Sequence, residues 1–85
     1  MGLFNTLTEA TYQRLTLMNR MLERLDVDTA KVVCADLGTT FRAIVGRCRG
    51  CHEPDLCARW LDGQEVGIEH SQFCPNAKTF APFRQ

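Results

Sequence analysis

The sequence predicts an all-α protein: a small bundle of four to five short helices with a four-cysteine metal centre in the C-terminal half. Apolar residues recur at helical spacing, no segment alternates apolar and polar residues as a strand would, and helix start and stop signals divide the chain. The 85 residues are expected to form a single domain, 1–85. We divide it into an amphipathic helical part, 1–38, and a four-cysteine metal-binding part, 39–85.

The first helix is expected to run from a capping box at Thr6 and Glu9 to about Leu25. Its apolar residues recur at 3-4-3 spacing and form one stripe, made of Leu15, Met18, Leu22 and Leu25 and widened by Leu7, Ala10, Leu17 and Met21. We interpret the stripe as core. The alternative is a surface for a protein partner or for a second copy of the chain, because its methionines suit an adaptable interface.

Two further helices follow. Asp28 is a suitable N-cap for a second helix over residues 29–37, and Gly38 is placed to end it in the left-handed conformation. Thr39 or Thr40 can then cap a third helix. Its apolar residues share one face and are Phe41, Ile44, Val45 and Cys48. Cys48 is therefore expected to face inward from the last turn.

The C-terminal part carries two more helix signals. Pro54 is favourable at the first position of a fourth helix, which Gly63 ends. Residues 64–72 are polar without a clear period and are predicted to form a loop. Cys74 is expected to cap a short fifth helix that ends near Pro82.

Composition excludes several classes of protein. Ten basic residues balance ten acidic ones, so a nucleic-acid partner is not expected. No apolar run has the length of a membrane span, and the N-terminus lacks the features of a signal peptide. The expected location is the cytoplasm.

Four of the five cysteines are grouped as Cys48-x2-Cys51-x5-Cys57-x16-Cys74. In a reducing compartment, clustered cysteines indicate metal or redox chemistry rather than disulfides. We therefore predict that these four bind one metal centre. Cys34 has apolar neighbours and is interpreted as a small buried hydrophobic residue outside the site.

The occupant is predicted to be a [4Fe–4S] cluster, with Zn²⁺ as the alternative and a metal-free or disulfide form also open. Small zinc folds commonly use two Cys-x2-Cys pairs, whereas this chain has one, and a cluster tolerates irregular spacing. The run from Cys48 to Cys57 is similar to the last three ligands of the cluster loop in endonuclease III-type DNA glycosylases. Phe41 stands where their first ligand would fall, so the likeness concerns ligation and not DNA repair.

Several neighbours are candidates for contacts around the centre. Trp60 is expected to pack in the core and to shield the centre from water. Asn76 is expected to donate a hydrogen bond to a sulfur or to cap the last helix. His52 is interpreted as a partly exposed turn residue, with a substitute zinc ligand or a hydrogen-bond partner of a ligand as the alternatives. Nearby cations that can offset the thiolate charge are Arg42, Arg47, Arg49 and Arg59.

The predicted function is a redox or oxygen sensor, or an electron-transfer accessory to a protein partner. The alternative is a zinc-stapled interaction module without redox activity. A catalytic constellation is absent from the sequence, so an enzyme is not expected.

The C-terminal half resembles a family of short alphaproteobacterial proteins of unknown function. The pattern is Cys48-Arg49-Gly50-Cys51, Cys57-Ala58-Arg59-Trp60-Leu61 and Phe73-Cys74-Pro75-Asn76-Ala77. The resemblance implies a bacterial cytoplasmic protein with a four-cysteine site. It implies no activity.

Overall fold

The computed structural model describes the backbone of residues 2–85 and the side chains of residue 9 and residues 11–85. That part of the chain contains five α-helices: α1 (Gly2–Arg24), α2 (Thr29–Cys34), α3 (Thr39–Arg49), α4 (Pro54–Leu61) and α5 (Ala77–Phe80). Short 3₁₀ segments lie at Ala35–Gly38, His70–Gln72 and Ala81–Phe83. Strand pairing within the described residues is limited to one isolated bridge between Val27 and Arg84. The predicted all-α class is confirmed.

Helix α1 is longer than predicted because it begins at Gly2 and not at Thr6. Residues 3–5 contain no proline or glycine, so nothing in the sequence stops the helix from extending toward the N-terminus. The side chains of Thr6, Leu7 and Ala10, on which the capping box and part of the stripe depend, lie outside the described residues. No helix in the described part of the chain is both long and apolar enough to cross a membrane.

The core lies where α1, α2, α3 and α5 meet. Its buried apolar residues are Met18, Met21, Leu22, Leu25, Val27, Val32, Ile44 and Phe80. Burial of each such side chain contributes about 1.5–3 kcal/mol relative to exposure. The stripe on α1 and the inward face of α3 are thus confirmed as core, with Leu15, Phe41, Val45 and Cys48 partly buried against it.

Helix α2 begins as predicted but ends early. The Asp28 carboxylate accepts a hydrogen bond from the backbone N–H of Lys31 at 3.2 Å, which confirms the cap. The helix stops at Cys34, and Asp36 and Leu37 then adopt left-handed backbone angles, with φ of 50° and 56°. Such angles cost non-glycine residues about 1–2 kcal/mol each. The predicted end near Leu37 was therefore wrong.

The prediction that Cys34 is buried was also wrong, because its side chain is exposed. Val32 occupies the inward position of α2 and is fully buried. Residues one and two positions later are rotated by about 100° and 200° around the helix, so they face away from the core.

The C-terminal region follows the predicted order of elements, with differences in the loop and in the last helix. Helix α4 begins at Pro54 and ends before Gly63, as predicted. The loop that follows contains an unpredicted 3₁₀ turn, closed by reciprocal bonds between Glu69 and Gln72. Helix α5 begins at Ala77, because the two residues after Cys74 form a turn, and not a first helical turn as expected.

Candidate metal centre

The four grouped cysteines come together around one small cavity of about 30 Å³. Cys48 comes from the last turn of α3 and Cys51 from the segment that joins α3 to α4. Cys57 lies on α4, and Cys74 precedes the turn before α5. Residues distant in sequence thus line one space, and all five cysteines of the chain are free thiols.

The remaining wall of the cavity comes mostly from apolar residues. Helix α1 contributes Leu17, Met18 and Met21, and the C-terminal region contributes Phe73 and Phe80. The cavity therefore lies between the amphipathic helical part and the cysteine-containing part. The spacing of the cysteines gave no sign that α1 forms this wall.

N–H groups point at three of the four sulfurs. The Nδ2 amide of Asn76 donates to Cys48 Sγ at 3.2 Å, and the backbone N–H of Glu53 donates to Cys51 Sγ at 3.4 Å. Hydrogen bonds from the backbone N–H groups of Asn76 and Ala77 lower the pKa of the Cys74 thiol. Donors of this kind stabilise thiolates and tune the reduction potential of iron–sulfur clusters.

Burial acts in the opposite direction and dominates. It raises the pKa of Cys48 from 9.0 to about 11 and that of Cys57 to about 12, with repulsion from the Cys74 thiolate as the next cause. Burial also raises the pKa of Cys74. Without a cation these three thiols thus hold their protons, and a bound metal would have to displace them.

Asn76 is the one fully buried polar side chain among the described residues. Besides the Cys48 sulfur, its Nδ2 donates to the carbonyl oxygen of Ile44 at 3.0 Å. Its Oδ1 accepts from Arg47 at 3.4 Å, and the same Arg47 nitrogen also donates to Thr79 at 3.0 Å. Of the two predicted roles, the structure therefore contains the hydrogen bond to sulfur, and Asn76 makes no side-chain capping bond to α5.

Arg14 of α1 is a site residue that the sequence did not indicate. Its NH1 nitrogen donates to the carbonyl oxygens of Cys51 at 2.8 Å, Arg49 at 3.1 Å and Cys48 at 3.5 Å. Arg14 also lines the cysteine cavity. Because 34 or more residues separate the partners, no local pattern could have revealed the contact.

The other predicted neighbours lie outside the cavity. The side chains of Arg49 and His52 are exposed, and His52 lines a wider external cleft of about 510 Å³ that reaches Cys51. Trp60 is partly buried against the core, where its Nε1 donates to the carbonyl oxygen of Ile68 at 2.8 Å. It does not line the cavity, so direct shielding of the site by Trp60 is not observed.

The cysteines are grouped more loosely than in a formed single-ion site. As the side chains stand, no three His, Cys, Asp or Glu residues within the described part of the chain are placed so that they could hold a metal ion. The donor set nevertheless suits a soft metal, because four sulfurs line one apolar cavity and three of them accept hydrogen bonds from N–H groups.

Fold and site together define a small helical protein with four free thiols around one cavity. A model of a family of unknown function, DUF6455, matches residues 5–85, and the chain belongs to this family. No match was found among the curated proteins or among the solved structures. The family model covers both the helical part and the cysteine-containing part, whereas the cysteine pattern and the bacterial origin implied by the resemblance stay predictions.

Proposed function

We propose that Cys48, Cys51, Cys57 and Cys74 together bind one [4Fe–4S] cluster. The protein would then act in the cytoplasm as a redox or oxygen sensor, or as an electron-transfer accessory to a protein partner. The observation that carries the proposal is that four cysteines from four different segments line a single cavity. A bound cluster would supply one-electron chemistry at that position.

The surroundings of the sulfurs support a cluster. Only one Cys-x2-Cys pair is present, and the other two ligands come from α4 and from the turn before α5. Three of the sulfurs accept hydrogen bonds from N–H groups, and apolar side chains from α1 line the cavity. Burial and hydrogen bonds to sulfur are the means by which proteins set cluster potentials.

Room for a cluster requires an adjustment of the site. The cavity of about 30 Å³ is small, and four irons with four sulfides need more space than this. Cys51 lies on an irregular segment between two helices, and it lines the external cleft as well as the cavity. Rotation of the Cys51 side chain toward the cleft would enlarge the cavity without moving the backbone of α3, of α4 or of the turn between them.

The size of the cavity favours the second candidate, a zinc-stapled interaction module. A single ion needs little room beyond its four ligands, and four thiolates suit tetrahedral Zn²⁺. In that case metal binding would contribute folding energy and a protein partner would bind elsewhere.

Purification without oxygen, followed by analysis of iron, acid-labile sulfide and zinc, tests these alternatives. The proposal predicts a brown protein with four irons and four sulfides per chain, whose visible absorbance bleaches on reduction. One zinc per chain with no visible absorbance would replace the cluster by the second candidate. Protein without bound metal would contradict both.

A further inference from the structure

Arg14 differs from Arg20 and Arg59 in its hydrogen-bond partners. A single guanidinium nitrogen lies within 2.8–3.5 Å of the carbonyl oxygens of Cys48, Arg49 and Cys51, on the turn that joins the two cysteines. By contrast, Arg20 and Arg59 form exposed ion pairs with Asp62 and Glu65. Exposed pairs of that kind contribute little to stability.

The three contacts have a direct consequence for the sulfurs at the two ends of the turn. Cys48 is fixed by α3, but Cys51 lies outside any helix, and its carbonyl makes the shortest of the three bonds. By donating hydrogen bonds to these carbonyl oxygens, Arg14 connects the turn to α1. These bonds fix the backbone from which the Cys51 side chain reaches the cavity. Hydrogen bonds that involve a charged group are the stronger ones in proteins.

Arg14 also supplies charge. It is the only charged side chain among the described residues that line the cavity. Four thiolates carry more negative charge than either Zn²⁺ or a [4Fe–4S] core offsets, so a cation at the wall would stabilise the filled site. It would stabilise the reduced form of a cluster most, because that form carries the greater negative charge.

We propose that Arg14 is a positioning residue of the metal centre, which holds the backbone of the Cys48–Cys51 turn beside the cavity and offsets the charge of the thiolates. The inference rests on the proposed function, since it assumes that the four cysteines bind a metal. It adds that the N-terminal helix takes part in metal binding and is not only a packing element.

Two substitutions separate the two roles. Arg14→Gln removes the charge and the reach to three carbonyls, whereas Arg14→Lys keeps the charge on a group without the planar guanidinium fork. The matched control is Arg24→Gln on the same helix, because Arg24 lies 4.7 Å from the Trp60 ring centroid and does not line the cavity.

The experiment measures release of the native metal to an excess of chelator, without oxygen, in the folded proteins. We expect Arg14→Gln to release metal about tenfold faster than the unsubstituted protein. Arg24→Gln should release it at the same rate as the unsubstituted protein. Arg14→Lys should fall between them. If the metal is a cluster, its reduction potential should fall in Arg14→Gln and return toward the original value in Arg14→Lys, which packing alone would not produce.

The outcomes separate this inference from the proposed function. Metal-binding protein whose release rate is unchanged in both Arg14 variants would overturn the role of Arg14 and leave the four-cysteine site standing. An unsubstituted protein without metal would overturn both. If Arg14→Gln does not fold, Arg14→Lys decides, because release at the original rate from that variant contradicts the need for the guanidinium.

Discussion

The apolar core and the cysteine cavity lie side by side and share Met18, Met21 and Phe80. The core consists of side chains that are at most 8 % exposed and that meet across helices. The cavity is lined by partly buried thiols, and burial raises the pKa values of Cys48 and Cys57. Hydrogen bonds from Asn76 and Arg14 hold its edges. We infer that the core is stable by packing alone, whereas the cysteine end needs an occupant to reach its full stability.

Loss of a predicted ligand should have the largest effect. Cys57→Ser is expected to abolish metal binding and to lower the free energy of unfolding by at least about 5 kcal/mol, because structural metal sites contribute their binding energy to folding. Metal analysis and chemical denaturation of the anaerobically prepared variant measure the two quantities. Cys34→Ser is the matched control, since Cys34 is exposed and outside the site. It should leave the metal content unchanged and the free energy of unfolding within about 0.5 kcal/mol of the original value. Equal effects at the two positions would refute the ligand set.

Ile44→Ala tests the core separately. Ile44 is fully buried and does not line the cavity, so its truncation should cost about 2–5 kcal/mol through lost burial and the space left behind. The amount of metal per folded chain should stay unchanged. Ile44→Val provides the graded control, at about 0.5–1.5 kcal/mol in denaturant unfolding. Loss of metal from the folded Ile44→Ala protein would show that the two regions are not separable.

Asn76→Ala affects the boundary between the two regions. It removes the donor to the Cys48 sulfur and leaves the buried carbonyl of Ile44 without that partner, so we expect a loss of about 1–3 kcal/mol and faster metal release. Thr79→Ala removes a neighbouring bond to Arg47 without touching a sulfur. If Thr79→Ala released metal as quickly as Asn76→Ala, the hydrogen bond to sulfur would have no specific role.

The pH dependence of thiol alkylation tests whether the Cys48 thiol is buried in the cavity, and it requires no substitution. In metal-free protein, the rate of alkylation at Cys48 should keep rising about tenfold per pH unit to near pH 11, because only the thiolate reacts. An unshifted thiol would level off near pH 9.0. Since the folded pKa lies above the ordinary value, the folded state should also lose stability as the pH rises from about 9 to about 11. A plateau near pH 9 in mass-spectrometric labelling would contradict burial of this thiol.

The sequence predicted best where local signals decide the structure. The stripe on α1, the Asp28 cap and the start of α4 at Pro54 depend on residues a few positions apart, and all three are confirmed. The exposure of Cys34 was missed because apolar neighbours in sequence do not reveal which face of a short helix is inward. Arg14 was missed because its partners lie more than 30 residues away.

The grouping of the cysteines could be predicted from the sequence, but the surroundings of the group could not. Their spacing indicated that they belong together, and the structure brings all four to one cavity. Spacing does not reveal the size of that cavity or the wall that α1 provides, because both depend on how helices from the two parts of the chain pack.

Native mass spectrometry of the full chain, purified without oxygen, tests the central claim most directly. The account predicts one species, heavier than the polypeptide by the mass of a single [4Fe–4S] cluster, and its loss when any one of Cys48, Cys51, Cys57 or Cys74 is replaced by Ser. Replacement of Cys34 should leave the added mass in place. A mass equal to that of the bare polypeptide, with free thiols or with disulfides, would contradict the account.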